Sequence, residues 1–344
     1  MPLRIAVAGA GAMGRRHIDV IARCSDCRLV GLVDPAPAAA EVARAARVPL
    51  FDSLDGLFAH EKPDGVIIVT PNRMHAEHAL ACVAAGIPAL IEKPVADSVE
   101  AARRVCEAGE SANVPLLAGH HRQHNPLMAK AVEIVKGGTL GRVVAVTGTA
   151  VFYKPDSYFA EGPWRREPGG GPVLINLIHE IGNLRALCGE IVAVQAMTSS
   201  ATRGFPVEDT AAITLEFAQG ALGTFLLSDT AAAVQSWEQT TGENPDYARD
   251  ASEDCYLVVG TRGSLAFPTL RVRRFDGEPS WRTPMRGETV AAPHVDPLDA
   301  QLRNFCDVIR GRARPVVTAR DGLENLKVID AIVRTARERR RVAV

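Results

Sequence analysis

The chain has 344 residues, a length that fits about two domains, and at 47% hydrophobic against 23% charged it carries the apolar material for packed cores. Its 39 basic and 40 acidic residues leave a formal net charge of −1. That balance gives no ground for nucleic acid or an anionic membrane surface as a partner, and no apolar run is long enough to span a bilayer.

By Leu3 the chain has entered a strand pattern, with no charged leader and apolar stretch before it, so the expectation is a protein without a signal peptide. Seven scattered cysteines, an odd number, point to reduced thiols and a cytoplasmic location. Cys24 and Cys27 form a C-x-x-C, but no second pair follows at zinc-ribbon spacing, so they read as ordinary thiols.

Up to about residue 120, short β-rich runs at 5–8, 29–33, 65–69, 88–91 and 115–118 alternate with Ala- and Leu-rich helical stretches such as 76–85 and 99–108. This alternation predicts βαβ units and a doubly wound parallel sheet covered on both faces, an α/β Rossmann domain over residues 1–122. After Pro126 the pattern changes. A helix over 127–136 leads into a long β-rich run at 142–151, then a Gly-rich segment and an apolar helix over 173–187. Strand patterns follow at 192–198, 210–216, 222–228, 256–259 and 270–274, and helices over 297–309 and 323–339 close the chain. Residues 123–344 therefore read as an α+β domain on a mostly antiparallel sheet, with the final helix able to pack back on the first domain. Residues 233–254 are polar and read as a long loop in which Trp237 is a packing residue or, as the near-equal alternative, a substrate platform. Apolar runs such as 221–227 suggest a sheet face that meets a partner subunit in a homodimer or homotetramer.

The first chemical signal is Gly9-Ala10-Gly11-Ala12-Met13-Gly14, a G-x-G-x-x-G directly after a predicted strand and opening a predicted helix. The first Gly permits the tight turn, the second lets a pyrophosphate approach the backbone, and the third lets helix and strand pack closely. The helix N-terminus then offers N–H groups and a partial positive charge to the phosphates. Asp34 ends the second predicted strand, where an acid should bind the adenosine ribose. Its carboxylate accepts from a 2′-hydroxyl and repels a 2′-phosphate, and Pro35-Ala36-Pro37 supplies no Arg, so NAD is favoured over NADP.

Two more segments stand at predicted C-terminal strand ends, where open α/β sheets bind ligands. Thr70-Pro71-Asn72 reads as cofactor contact, with Asn72 also able to cap the next helix; Glu92-Lys93-Pro94 aims a lysine into the ligand-binding crevice, against the alternative of a surface Glu–Lys pair.

In order and spacing these motifs resemble the Gfo/Idh/MocA family, the glucose–fructose oxidoreductase and inositol dehydrogenase type, over essentially the whole chain. The likeness rests on Gly9 to Gly14 with Arg15-Arg16-His17, Thr70-Pro71-Asn72 with His75, Glu92-Lys93-Pro94, Trp164-Arg165, Gly169-Gly170-Gly171 and the helix carrying His179. It implies that Lys93 touches both the nicotinamide ribose and the substrate hydroxyl, that His179 is the general acid/base, and that Trp164 and Arg165 lie beside the cofactor, with His121 a further candidate. The family commonly has an Asp four residues before the histidine and another three after it. Here those places hold Ile175 and Gly182, while Asn176 and Asn183 lie one residue beyond each.

Asn176, His179, Glu180 and Asn183 fall at i, i+3, i+4 and i+7 and so share one helix face. A solvated face would use Lys, Glu and Arg; two Asn and a His suit a hydrogen-bonded pocket. Asn176 and Asn183 are therefore candidate substrate contacts; Arg165, which the resemblance brings to the site, and His294, just before a predicted helix, are two more. His75 with His78, and His120, His121 and His124, lack Cys or acidic partners at metal spacing, so no metal is expected. The expected function is NAD-dependent oxidation of a secondary alcohol, or reduction of the ketone, on a sugar, polyol or related cyclic hydroxylated compound. The resemblance leaves two rivals, an NAD-dependent glycosidase acting by transient oxidation and elimination, and a catalytically silent dinucleotide-binding regulator.

Overall fold

The computed structural model describes residues 1–344. The chain divides into two compact units, Met1–His124 with Val295–Leu326, and Asn125–His294 with Lys327–Val344.

The first unit alternates strands and helices: β1 (Leu3–Ala8), α1 (Ala12–Arg23), β2 (Cys27–Val33), α2 (Ala39–Ala46), β3 (Leu50–Phe51), α3 (Leu54–His60), β4 (Gly65–Ile68), α4 (His75–Ala84), β5 (Ala89–Glu92), α5 (Val99–Ala112) and β6 (Leu116–Gly119). All pairings are parallel, in the order β3-β2-β1-β4-β5-β6. Every residue of β4, β5 and β6 is buried, as expected of strands covered on both faces by helices. The order reverses between β1 and β4, which places a switch point at the C-terminal ends of those strands.

The second unit begins with α6 (Pro126–Lys136), β7 (Val143–Val151), α7 (Asp156–Glu161), α8 (Pro172–Ile175) and α9 (Leu177–Cys188). It continues through β8 (Ile191–Ser199), β9 (Thr210–Phe217), β10 (Leu222–Ser228), α10 (Trp237–Thr240), β11 (Tyr256–Gly260), β12 (Gly263–Phe267), β13 (Arg271–Arg274) and β14 (Arg286–Thr289). After α11 (Pro297–Ile309) and α12 (Ala319–Glu338), β15 (Val342–Ala343) completes a nine-stranded sheet ordered β14-β13-β12-β11-β7-β10-β9-β8-β15. Its pairings are antiparallel except that of β7 with β10. Along β9 and β10 buried and exposed residues alternate, which means that one sheet face packs inward and the other is open. Leu222, Leu226, Met197, Val192 and Leu257 stand on the exposed side.

Three features depart from the expected elements. The helix expected over 173–187 is broken: α8 ends and α9 begins at Asn176, whose φ of −104° and ψ of −53° lie outside ideal helix values. The loop at 233–254 contains the helical turn α10, capped by Ser236, and Trp237 is buried there with its ring 5.3 Å from that of Phe267. Pro297–Ile309 returns to the first unit, where Leu298, Leu302 and Phe305 join Ile5, Val7 and Leu90 in one core. No helix is long and apolar enough to cross a membrane.

Candidate functional site

In the first unit the candidate residues gather at the C-terminal strand ends. Gly9 follows β1 with φ of +110°, a region open chiefly to glycine. A Cβ on Gly14 would lie 2.0 Å from the Gly9 oxygen, so α1 can pack on the turn only with glycine at 14. Over Gly11 a Cβ would meet nothing within 4 Å; the space above the turn is open. Side chains cap α3, α5, α6 and α11 through Ser53, Ser98, Asn125 and Asp296. Helix α1 has Gly11 at its N-cap and no side-chain cap, so its first-turn N–H groups, including those of Ala12 and Met13, are left for a ligand.

Asp34, just past β2, is half-buried. Its Oδ2 accepts from the Ala10 N–H and its Oδ1 from the Ala36 N–H, each at 2.8 Å. The carboxylate is thus fixed against the glycine turn, and each oxygen keeps a lone pair for a ribose hydroxyl. These features fit a dinucleotide: an open cradle, uncapped donors and a fixed acceptor.

Thr70 and Pro71 follow β4, and Asn72 opens a 3-10 turn without a capping bond; α4 starts only at His75. Asn72 therefore does not cap the helix, and its exposed side chain is left to meet a ligand. His75 has another place than the one expected for a cofactor contact. It is 1% exposed, with Nδ1 2.7 Å from the Pro94 oxygen and Nε2 2.7 Å from the Thr70 oxygen. Both ring nitrogens are engaged with backbone, because two turns close over the ring. Glu92 is buried and bonds His17, 3.1 Å away, across to α1, which argues against the surface-pair alternative for Glu92-Lys93. Lys93, half-buried, begins the turn after β5. His121 lies half-buried after β6, close enough for its charge to lower the carboxyl of Glu92.

In the second unit, α9 is buried on nearly every side, with His179 and Glu180 both inside. The face carrying them is not a solvated surface. Asn176 is 9% exposed; its Oδ1 accepts from Lys154 Nζ at 2.7 Å and its Nδ2 donates to Glu238 Oε1 at 3.3 Å. Asp229 stands 3.6 Å from the same ammonium and 3.0 Å from Arg203 Nε. Burial holds the Lys154 pKa below its ordinary value, against the opposing pull of Asp229 and Glu238. Asn183, expected as a substrate contact, is fully buried, and its Nδ2 donates to the Tyr256 hydroxyl at 3.1 Å; Tyr256 in turn donates to Glu180. Within α9 Asn183 stands one turn on from His179 and Glu180, and its side chain is taken up by the Tyr256 hydroxyl inside the core.

Trp164 is exposed on a 3-10 turn, Pro163–Arg166. Arg165 lies with its guanidinium carbon 3.8 Å from the centre of the Tyr158 ring and donates to the Tyr158 carbonyl. His294 is exposed ahead of α11 and has no role in either cluster. Sequence reasoning passed over Lys154, Glu238, Asp229 and Tyr256. The one signal for them was a lysine, Lys154, just after a strand run and before a proline, the same setting as Lys93.

Comparison with known proteins identifies both domains. Residues 3–120 match the description "Oxidoreductase family, NAD-binding Rossmann fold", and residues 132–344 match "Oxidoreductase family, C-terminal alpha/beta domain". Inositol 2-dehydrogenase of Rhizobium meliloti (strain 1021) is 24% identical over 349 aligned positions, covering 100% of both chains. The 1,5-anhydro-D-fructose reductase of Ensifer adhaerens is 25% identical over 288 positions, 83% of this chain and 80% of that one. Among solved structures, the WlbA dehydrogenase from Bordetella pertussis, in complex with NADH and UDP-GlcNAcA, superposes with a TM-score of 0.80 at 22% identity, covering 100% of this chain and 99% of that one; at that identity the likeness speaks for the fold. The two matched domains, which together span most of the chain, make it a member of the Gfo/Idh/MocA oxidoreductase family, with an NAD-binding Rossmann domain.

Proposed function

We propose that this oxidoreductase oxidises a secondary alcohol, or reduces the corresponding ketone, on a sugar, polyol or related cyclic hydroxylated compound, using NAD in preference to NADP. The observation that carries the reading is Lys93 at the C-terminal end of β5, on the same sheet edge as the uncapped α1 and the Asp34 carboxylate. The names of two relatives, an inositol dehydrogenase matched over its full length and an anhydrofructose reductase matched over 80% of its length, supply the substrate class.

Gly9, Gly11 and Gly14 with the first turn of α1 hold the pyrophosphate, Asp34 takes the adenosine ribose, and Thr70, Pro71, Asn72, His121, Trp164 and Arg165 are the remaining candidate contacts. When bound, the nicotinamide supplies the hydride acceptor or donor. Lys93 stabilises negative charge on the substrate oxygen as it develops, an electrostatic effect that is large where water is excluded. His179 takes the hydroxyl proton in oxidation and returns it in reduction. Asn176 cannot act as a base; with Lys154 and Glu238 it orders the first turn of α9, whose His179 N–H bonds the Asn176 carbonyl at 3.1 Å.

Seven free thiols support a reducing, cytoplasmic location. The open face of the nine-stranded sheet has a groove of about 590 Å³ that includes Thr147, Met197, Thr224 and Leu226, and this face, with exposed Leu222 beside it, supports a homodimer or homotetramer. Light scattering should give two or four copies; a monodisperse monomer would contradict the assembly. The function is tested by absorbance at 340 nm with NAD and a panel of inositols, aldoses, sugar acids and cyclic dihydrodiols. Substrate-dependent NADH formation is expected. Hydrolysis of a glycoside without net NADH would favour the elimination chemistry instead.

A further inference from the structure

We propose that His17 and His75 are positioning residues for Lys93, two buried imidazoles that fix the chain on either side of the lysine and tie it to the helices following the two cofactor turns. The inference rests on the role given to Lys93 above.

His17 lies on α1, three residues past Gly14, and is 1% exposed. Its Nε2 is 3.1 Å from Glu92 Oε1, while Glu92 Oε2 accepts the backbone N–H of Lys93 at 3.2 Å. One carboxylate therefore joins α1 to the lysine's own peptide. The slot for that carboxylate is made by the end of β6: a Cβ on Gly119 would come within 2.8 Å of the Glu92 Cα and 2.9 Å of Oε1. Burial alone would raise the Glu92 carboxyl, but the hydrogen bond and charge of His17, helped by His121 and Lys93, bring it to about 2. Glu92 is thus an acceptor throughout the ordinary pH range.

On the other side of Lys93, the Pro94 carbonyl is bound by His75 Nδ1, and the same ring reaches the Thr70 carbonyl through Nε2. His75 is the first residue of α4. Carbonyl oxygens only accept, so the ring donates to both turns as the imidazolium and to one of the two carbonyls as the neutral ring, packed in either form between the turns after β4 and β5. Lys93 is held between these two clamps. A lysine carries four rotatable side-chain bonds, and a displacement near 1 Å can cost about 100-fold in rate; holding its backbone at both neighbours removes one source of that displacement.

The test uses the full chain and reads Lys93 directly, through the rate of its labelling by acetic anhydride, followed by peptide mass spectrometry across pH. NADH affinity is read by fluorescence and folding by thermal denaturation. With His17→Leu or His75→Leu, Lys93 labelling should rise at least about threefold; turnover should fall about tenfold or more, while NADH affinity changes less than about threefold. His17→Gln keeps a donor near Glu92 and should stay within about twofold of the parent on every readout. Should His17→Leu fail to fold, Glu92→Gln removes the carboxylate at constant shape and should shift the Lys93 labelling midpoint to lower pH. Folded variants with parental Lys93 labelling would overturn the proposal and leave the two histidines as core packing. A parent that binds no NADH, with the labelling changes present, would overturn the cofactor reading and leave the clamp standing.

Discussion

Lys154 Nζ lies 2.7 Å from Asn176 Oδ1, which places a buried ammonium against the residue where the helix bearing His179 begins. The carboxamide is held at both ends, by Lys154 and by Glu238, so its orientation is set before any ligand arrives. Lys154→Met keeps the apolar stem and removes the donor. Asp229 retains Arg203, so the cost should be that of a lost buried hydrogen bond rather than a stranded charge, about 1–3 kcal/mol. Urea denaturation of the parent and K154M checks it; equal midpoints would mean that the contact contributes nothing.

The glycine turn separates folding from binding. Gly14→Ala puts a Cβ 2.0 Å from the Gly9 oxygen, and such overpacking should cost about 1–3 kcal/mol in stability as well as NADH binding. Gly11→Ala meets nothing within 4 Å in the protein. It should melt like the parent yet bind NADH at least about tenfold more weakly, some 1.4 kcal/mol, because the added methyl occupies space that the pyrophosphate needs. Thermal melts beside NADH titrations distinguish the two variants.

The proposed preference for NAD rests on Asp34. Its oxygens are bonded to the Ala10 and Ala36 N–H groups, so the negative charge cannot swing away from a 2′-phosphate. Asp34→Ser should lower NAD affinity and raise that for NADP, moving their ratio by about tenfold or more, since one close like-charge contact is worth about 1–4 kcal/mol in water-exposed to part-buried settings. Parallel titrations with NADH and NADPH measure it, and an unchanged ratio would remove Asp34 from the selectivity account.

Acid should weaken the first unit in two stages. Burial, with His121 nearby, lowers the His124 pKa to about 4 from an ordinary 6.5. Between those values the unfolded chain takes up a proton that the folded chain does not, so stability falls as pH drops from 6.5 to 4. Glu92, at about 2 against an ordinary 4.5, adds a second loss as pH drops from 4.5 toward 2. Denaturant midpoints from pH 7 to 4 should decline less in His124→Gln than in the parent; parallel curves would show that His124 does not drive the first stage.

The first unit was legible because its strands are continuous apolar runs between amphipathic helices, and 65–69 needed no other information to read as a strand covered on both faces. β3 escaped, since two residues, Leu50 and Phe51, make no pattern. The amphipathic face of 297–309 announces a helix without saying which core it joins; Phe305 and Leu302 pack in the first. At the candidate site, the strand-end positions of Asp34 and Lys93 could be read from spacing. The break at Asn176 could not, because neither Gly nor Pro marks it, and the burial of Asn183 could not, because the Tyr256 hydroxyl that takes up its side chain is 73 residues away in sequence. His75 and His17 were visible as motif members, but only coordinates show that their rings face a backbone carbonyl and a buried carboxylate.

Kinetics of Lys93→Ala and His179→Ala, set beside their NADH dissociation constants, bear most directly on the proposed chemistry. Both variants should bind NADH within a few-fold of the parent and lose turnover by about 100-fold or more, the range over which positioned general acid–base groups act. Parental turnover in either variant would contradict the account.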